Sequence, residues 1–436
     1  NDLGRVVPAA VIHHQHFIRS GGADGRVAND LFKGRGNPLF LVIGRNHQRQ
    51  GYAHDTVTPA VLQFPQPMRT PLLRRGELAC LLLLGVVLFI RFPVKYFLSH
   101  NPFFMDFSVY RFTAELITTG QGAHLYDLGY KEGMLFRYAP IWAVLWAPLA
   151  WLPAHLSGVV WSALSVGWVV LTLWLSGRLL TQLGVRTPVW IGVAAVLLLV
   201  RQLTRVFSMG QADLWTGGLA VIFLFLALRD RPWLATLALA LCAILKLPAM
   251  LFLPYLVCAG RWGLALKTVV WLGLLVPLGA VVLEPGNPIH LLTAWGASLV
   301  QTSPGQAFTI GDQSLMALLG RFLMNDGYGL NVLSLSRPVI TGLTLALDAL
   351  LFLSIVLPAR ATLKDPRRLT SDVALVLILM VLASPAAWLA TYTVLLFPMV
   401  LAIGLLTERL RAWPRDRDRI SIVFALLVGL FSLLTH

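Results

Sequence analysis

Asp106 is the residue whose setting is most suggestive of chemistry. It stands as a lone carboxylate in the run His100-Asn101-Pro102-Phe103-Phe104-Met105-Asp106-Phe107-Ser108-Val109-Tyr110-Arg111, within the polar stretch Lys95–Phe136 that follows the first long apolar segment. Leu125-Tyr126-Asp127 and Arg137-Tyr138-Ala139-Pro140 follow it. A carboxylate held near a substrate hydroxyl can take the proton of that hydroxyl as its oxygen attacks, which makes Asp106 a candidate general base. The neighbouring acids Glu115 and Asp127 are isolated, so no metal cluster is expected, and Asp127 reads as a turn residue.

Other polar residues interrupt apolar surroundings, where each is costly and tends to mark a site. Lys246 sits in Ile244-Leu245-Lys246-Leu247-Pro248. Its ammonium needs an anion, for which a lipid-linked phosphate is suitable, or must snorkel from the tip of a helical hairpin. Gln211 can hydrogen-bond a sugar hydroxyl, while Asp213 serves either a substrate or the cap of the following helix. Asp312 and Gln313 open another apolar stretch in Gly311-Asp312-Gln313-Ser314-Leu315, where Asp312 reads equally as a substrate contact or an N-cap.

The elements that must position these residues are membrane helices. Hydrophobic residues make up 57% of the chain, charged residues 13%, and mean hydropathy is +0.73; a soluble domain carries roughly 45–50% and about 25%. Apolar runs near the length that crosses about 30 Å of hydrocarbon fall at 76–96, 156–177, 188–206, 212–229, 264–283, 337–358, 371–388, 389–407 and 419–435. The segment 138–152 is short and holds Pro140 and Pro148, which favours a re-entrant or interfacial helix over a full pass. The segment 232–259 is too long for one pass and carries Lys246 and Pro248 near its middle.

The net charge of +15 raises the question of nucleic acid, but its distribution answers it. Cations cluster between spans at Arg69/Arg74/Arg75, Arg178/Arg186, Arg229/Arg231, Arg261/Lys267, Arg360–Arg368 and Arg409–Arg419. That is the bias of cytoplasmic loops. It puts the 97–137 loop, Met209–Asp213 and the 284–336 loop on the outer side, and no nucleic-acid partner is implied.

Residues 1–67 contain no Met and no hydrophobic periodicity, and are expected to be a disordered extension or a mis-assigned start before Met68; 68–436 forms one transmembrane domain. His13-His14-Gln15-His16 lacks further spaced ligands and reads as a solvated tract. Cys80, Cys242 and Cys258 lie in apolar segments at spacings that fit neither zinc nor redox motifs. Phosphate-loop, dinucleotide, nucleophile-elbow and metalloprotease signatures are missing, so nucleotide hydrolysis is not expected to power the protein.

Asp106-Phe-Ser-Val-Tyr110, Gly120-x4-Leu125-Tyr126-Asp127 and Phe136-Arg-Tyr138-Ala-Pro140, with Ala147-Pro148-Leu149 and Leu152-Pro153 after them, resemble the N-terminal pattern of family 87 glycosyltransferases. Gly210-Gln211-Ala-Asp213, Ala243-Ile-Leu-Lys246-Leu-Pro248, and Asp312-Gln313-Ser314-Leu315 with Arg321 continue the resemblance, which covers about Gly76 to Leu405. The chain departs from the pattern with Ala139 where Pro is more frequent, and with Asp213 and Asp312 where Asn is common.

The resemblance implies an all-α polytopic GT-C fold of about 10–13 transmembrane helices with two larger outer loops that carry short juxtamembrane helices. It also implies a bacterial cytoplasmic-membrane enzyme whose site faces outward. The donor is a hexose, mannose above all, on a polyprenyl phosphate; the acceptor is a glycolipid or glycan hydroxyl, and no cofactor is needed beyond that co-substrate. Asp106 is then the base of an inverting transfer. Lys246, with Arg137 and Arg111 as helpers, meets the phosphate; Tyr110, Tyr126, Tyr138, Gln211, Asp213, Asp312, Gln313 and His290 are sugar or acceptor contacts. The tyrosines and Trp142 have a competing use as interface anchors, and His290 as a plain solvated side chain. The alternative is a lipid or sugar transporter, which predicts internal repeats and paired broken helices.

Overall fold

The computed structural model describes residues 75–98, 105–131, 134–302, 308, 311–325, 332–359 and 365–412. The chain divides into Asn1–Arg69 and Thr70–His436. The histidine tract, the expected extension 1–67 and the expected span 419–435 lie outside the described residues.

The protein is an all-α polytopic membrane protein. Among the described residues the regular elements are helices, and an isolated antiparallel bridge joins Tyr130 to Met134. After the first of them a π-helical segment (Ile90–Val94) and a short helical turn (Lys95–Leu98) follow; the longer α-helices are, in chain order, α1 (Arg75–Phe89), α2 (Met105–Thr118), α3 (Pro140–Trp146), α4 (Ala154–Gln182), α5 (Val189–Leu198), α6 (Val200–Met209), α7 (Asp213–Ala227) and α8 (Pro232–Leu245). Then come α9 (Phe252–Cys258), α10 (Trp262–Leu283), α11 (Pro288–Thr302), α12 (Leu315–Leu323), α13 (Arg337–Ala359), α14 (Pro366–Leu382) and α15 (Leu396–Ala412). Ala154–Gln182, Trp262–Leu283, Arg337–Ala359 and Leu389–Arg409 are each long and apolar enough to cross a membrane, with up to five such spans if α5 and α6 count as one. Shorter apolar helices such as α7 and α8 fill the bundle between them.

Several expected spans are interrupted, and the breaks bear on the site. The run 188–206 bends by 67° between α5 and α6. α6 (VRQLTRVFSM) carries Arg201 and Arg205 on the face opposite buried Gln202, Leu203, Val206 and Phe207. Two guanidinium groups are too costly for the hydrocarbon interior, so the chain turns aside where they begin. The long segment 232–259 breaks at Lys246, whose backbone is extended (φ −142°, ψ 107°) ahead of the 3-10 turn Leu247–Leu251 with Pro248 in its first turn. A third break separates α14 from the 3-10 segment Leu389–Leu395 that leads into α15. The segment 138–152 forms α3 and the 3-10 turn Ala147–Trp151. Those twelve residues rise about 20 Å, short of the bilayer core.

α4, α7, α8 and α10 pack in sequence, and α10 lies against α3. Close approach depends on small residues, as expected where lipid offers no hydrophobic drive between helices. A Cβ at Gly279 would lie 2.3 Å from the Ile141 backbone nitrogen, so α10 and α3 touch backbone to backbone. Behind α2 lies an aromatic cluster from α2, α3, α4 and α7. Trp146 meets Tyr110 at 4.5 Å and Trp161 at 5.2 Å between ring centroids, and Trp161 stacks on Trp215 at 4.9 Å.

Candidate active site

Asp106 is the second residue of α2, where the partial positive charge of a helix N-terminus favours an anion. The carboxylate is half-buried. Burial holds its pKa above the usual carboxylate range, against a hydrogen bond from Gln211; the charge of Asp213 pushes it further up, while Arg137 and Arg205 pull it down. Gln211 follows Gly210, which ends α6 in the left-handed conformation (φ 69°) that glycine adopts without strain. The Oε1 of Gln211 is buried without a partner among the described residues.

Beside this carboxylate is an ion pair. Asp213 opens α7 and is 9% exposed; Lys246 Nζ donates to its Oδ1 and to Thr391 Oγ1 at 2.9 Å. The extended backbone at Lys246 is what lets the ammonium leave the end of α8 and reach across to α7 and the 389–395 segment. Three chain breaks therefore supply this part of the site: the α6–α7 turn, the α8 break and the turn before α15.

The tyrosines form the floor. Tyr110, one turn after Asp106, shares a 2.8 Å hydroxyl–hydroxyl hydrogen bond with Tyr138. Burial raises both phenols, Tyr110 well above its ordinary value, so both stay protonated. Tyr126 donates to the Tyr138 carbonyl at 2.7 Å. Tyr110 is 2% exposed, and the rings of Trp146, Trp161 and Tyr138 surround it, so its own face is turned to protein. Trp142 is buried in the same cluster.

The remaining expected residues have partners of their own. Arg111 donates from one nitrogen to the Leu149 and Leu152 carbonyls and Ser157 Oγ (3.2, 2.8 and 2.9 Å) and pairs with Glu115 at 2.9 Å. It thereby staples α2 to the turn before α4. His290 is exposed on α11, with Nδ1 3.1 Å from Glu284 Oε2. Arg137 is exposed, and its carbonyl accepts the Trp295 indole N–H at 3.1 Å. No cluster of three metal-ligating side chains occurs among the described residues.

Asp312 is fully buried. It accepts the backbone N–H groups of Ser314 (2.9 Å) and Ala387 (2.8 Å) and the Ser314 hydroxyl (3.0 Å), and its carbonyl accepts from Arg321. The N-cap of α12 is Ser314, whose Oγ accepts the Ala317 N–H at 3.1 Å, so Asp312 is not the cap. It latches the 311–314 loop to the break before α15, reinforced by Gln313, whose N–H donates to the Ala387 carbonyl and whose carbonyl accepts the Tyr392 hydroxyl. Asp312→Ala is therefore expected to strand two buried N–H groups at about 1–3 kcal/mol each. The thermal midpoint of the detergent-solubilised chain should fall, less so for Asp312→Asn, which keeps an acceptor. A full-stability Asp312→Ala protein without activity would place this carboxylate on substrate instead.

Arg205, Thr391 and the tryptophans 146, 161 and 215 are site neighbours that sequence reasoning passed over. Arg205 had a signal, since an arginine pair spaced by four residues inside an apolar run is anomalous; Thr391 had none.

A family model described as glycosyltransferase family 87 matches residues 136–385. The match takes in Arg137, Tyr138, Arg205, Gln211, Asp213, Lys246, His290, Asp312 and Gln313, and begins after Asp106. A curated relative from Mycobacterium tuberculosis, a polyprenol-phosphate-mannose-dependent alpha-(1-2)-phosphatidylinositol mannoside mannosyltransferase, is 24% identical over 356 residues, covering 78% of this chain and 79% of that protein. No solved structure matches.

Proposed function

Because the chain belongs to glycosyltransferase family 87 and is a membrane glycosyltransferase, we propose that it transfers mannose from a polyprenyl-phosphate donor to a hydroxyl of a glycolipid or glycan. The donor is supported by the name of the Mycobacterium tuberculosis relative. The observation that carries the mechanism is the half-buried Asp106 carboxylate at the start of α2.

In this reading the acceptor oxygen attacks the anomeric carbon while its proton passes to Asp106. The bond between that carbon and the phosphate oxygen breaks, and polyprenyl phosphate leaves with one more negative charge than the bound diester. A phosphate leaves without protonation, so cations that stabilise its growing charge suffice in place of a general acid. Attack from the side opposite the leaving group inverts the configuration, and a β-linked donor gives an α-linked product. The loop bias of the cations supports placing the reaction on the outer face of a bacterial cytoplasmic membrane.

The test is transfer of labelled mannose to membrane glycolipids by the purified full chain, offered either polyprenyl-phosphate-mannose or a nucleotide-linked mannose. Incorporation from the lipid-linked donor alone, as α-linked product, is expected. Incorporation from the nucleotide donor, or a β-linked product, would overturn the reading.

A further inference from the structure

α4 and α7 run side by side in the same direction. Trp161 stacks on Trp215 near their starts, Gly218 of α7 fits against Trp168 and Thr172 of α4, and Trp174 meets Phe225 near their ends, 6.3 Å between ring centroids. Arg178 lies about 30 Å along α4 from Ser157, the residue that Arg111 holds, at roughly 1.5 Å per residue. That is the thickness of the bilayer core, so the far ends of these helices belong to the membrane face opposite Asp213.

Two guanidinium groups stand on the ring pair at that face. Arg178 lies over Trp174 at 5.4 Å from the ring centroid, and Arg229, just past the end of α7, lies over Phe225 at 4.0 Å. The turn after α7 fixes the second of them: the backbone N–H groups of Arg229 and Arg231 both donate to the Leu226 carbonyl (3.1 and 3.0 Å), with Asp230 between them in the left-handed region (φ 54°). No ion pair among the described residues includes Arg178, Arg229 or Asp230. The Nε of Arg178 is buried with no acceptor, a charged donor whose lost hydration nothing there offsets. From these observations we infer that Arg178 and Arg229, seated on the Trp174–Phe225 pair, bind the phosphate head group of an anionic phospholipid at the membrane face opposite Asp213.

This lipid is neither the donor nor the acceptor of the proposed transfer, and the inference does not depend on that reading. A guanidinium stacked on a ring keeps its N–H groups in plane and free, and a phosphate oxygen pair can take two of them at once. The stack also holds the side chain in place beforehand, which lowers the ordering cost of binding. A lipid is favoured over a free phosphate because the cations cap two apolar helices and rest on aromatic side chains of the kind that line a membrane interface. Its phosphate would tie the end of α4 to the end of α7, the helices whose starts carry Trp161 and Asp213. Loop cations attract anionic head groups without any built site. Arg231, exposed in the same turn and with no ring contact among the described residues, is the internal control for that general attraction.

The experiment titrates the full chain, in micelles of a neutral detergent, with phosphatidylglycerol or phosphatidylcholine, and reads displacement of a fluorescent phosphatidylglycerol together with the thermal midpoint. Phosphatidylglycerol is expected to displace the probe and raise the midpoint, and phosphatidylcholine to do neither. Arg178→Gln and Arg229→Gln are each expected to weaken binding about tenfold, as the loss of one charge-assisted contact implies. Arg229→Lys should recover part of the loss, and Arg231→Gln should bind like the parent. Midpoints equal to the parent's before lipid is added show that the variants are folded; should Arg178→Gln fail that check, Arg229→Gln, at an exposed position, decides alone. Unchanged binding in Arg229→Gln overturns the inference, as does an equal loss in Arg231→Gln, which would leave only general attraction. Displacement by inorganic phosphate or glycerol phosphate as effective as that by the lipid would also overturn it, in favour of a soluble phosphate. Because no sugar transfer is measured, a failure of the mannose reading leaves the outcome intact.

Discussion

Asp106→Asn is expected to lower mannose transfer by about 10²–10⁴-fold, the usual share of a general base, while leaving binding of polyprenyl monophosphate and the thermal midpoint near those of the parent. Asparagine keeps an oxygen that can accept from Gln211, so the start of α2 is preserved and only the proton acceptor is lost. The pH profile gives a second readout. Burial, with the Asp213 charge adding to it, holds the Asp106 pKa above the ordinary carboxylate value of 3.8. The base is thus protonated, and silent, up to a higher pH than a free aspartate. The acid limb of kcat/KM should lie above that value and move further up in Gln211→Leu, which removes the hydrogen bond that favours the ionised form. Transfer by Asp106→Asn at parent rates would remove this residue from the chemistry, and an acid limb that ignores Gln211→Leu would assign the titration to another group.

What could be read from the sequence was the set of polar residues that membrane segments do not tolerate without reason. Asp106, Gln211, Asp213 and Lys246 each stand out against apolar neighbours, and the structure gathers them at one end of the bundle. Their pairing was not legible. Lys246 meets Asp213 and Thr391 across 33 and 145 residues of chain, and nothing local in Leu389-Ala-Thr391 distinguishes it from span sequence. For Arg205 the spacing of four from Arg201 was the one mark within the apolar average of 188–206, and the bend at Leu199 has no proline or glycine to announce it. Arg111 and Asp312 have structural partners that their residue types did not announce. Each sits in a suggestive motif, yet their bonds run to backbone groups that tie loops to helices. The tyrosines fall between these cases, since an aromatic residue near an interface looks the same whether it stacks on a sugar or, like Tyr110, fills a cluster of tryptophans.

Replacing Lys246 by Met is expected to destabilise the protein by about 3–5 kcal/mol, the range for removing one partner of a buried ion pair. The two side chains are 20% and 10% exposed, so water does little to solvate the Asp213 carboxylate left behind. That carboxylate already raises the Asp106 pKa. Without its ammonium partner its repulsion grows, and the acid limb of transfer should move to higher pH in the variant. The double variant Lys246→Met/Asp213→Leu removes the stranded charge and is expected to regain parent stability, because a buried pair exchanged for apolar side chains of similar size is often neutral or better. Transfer by the double variant then separates two uses of the lysine. If Lys246 serves to neutralise Asp213 and to hold α7, α8 and the 389–395 segment in place, the double variant recovers transfer along with stability. If Lys246 itself meets the donor phosphate, stability returns while KM for the lipid-linked donor stays high. The arrangement favours the first outcome, since Lys246 is already engaged by Asp213 and Thr391.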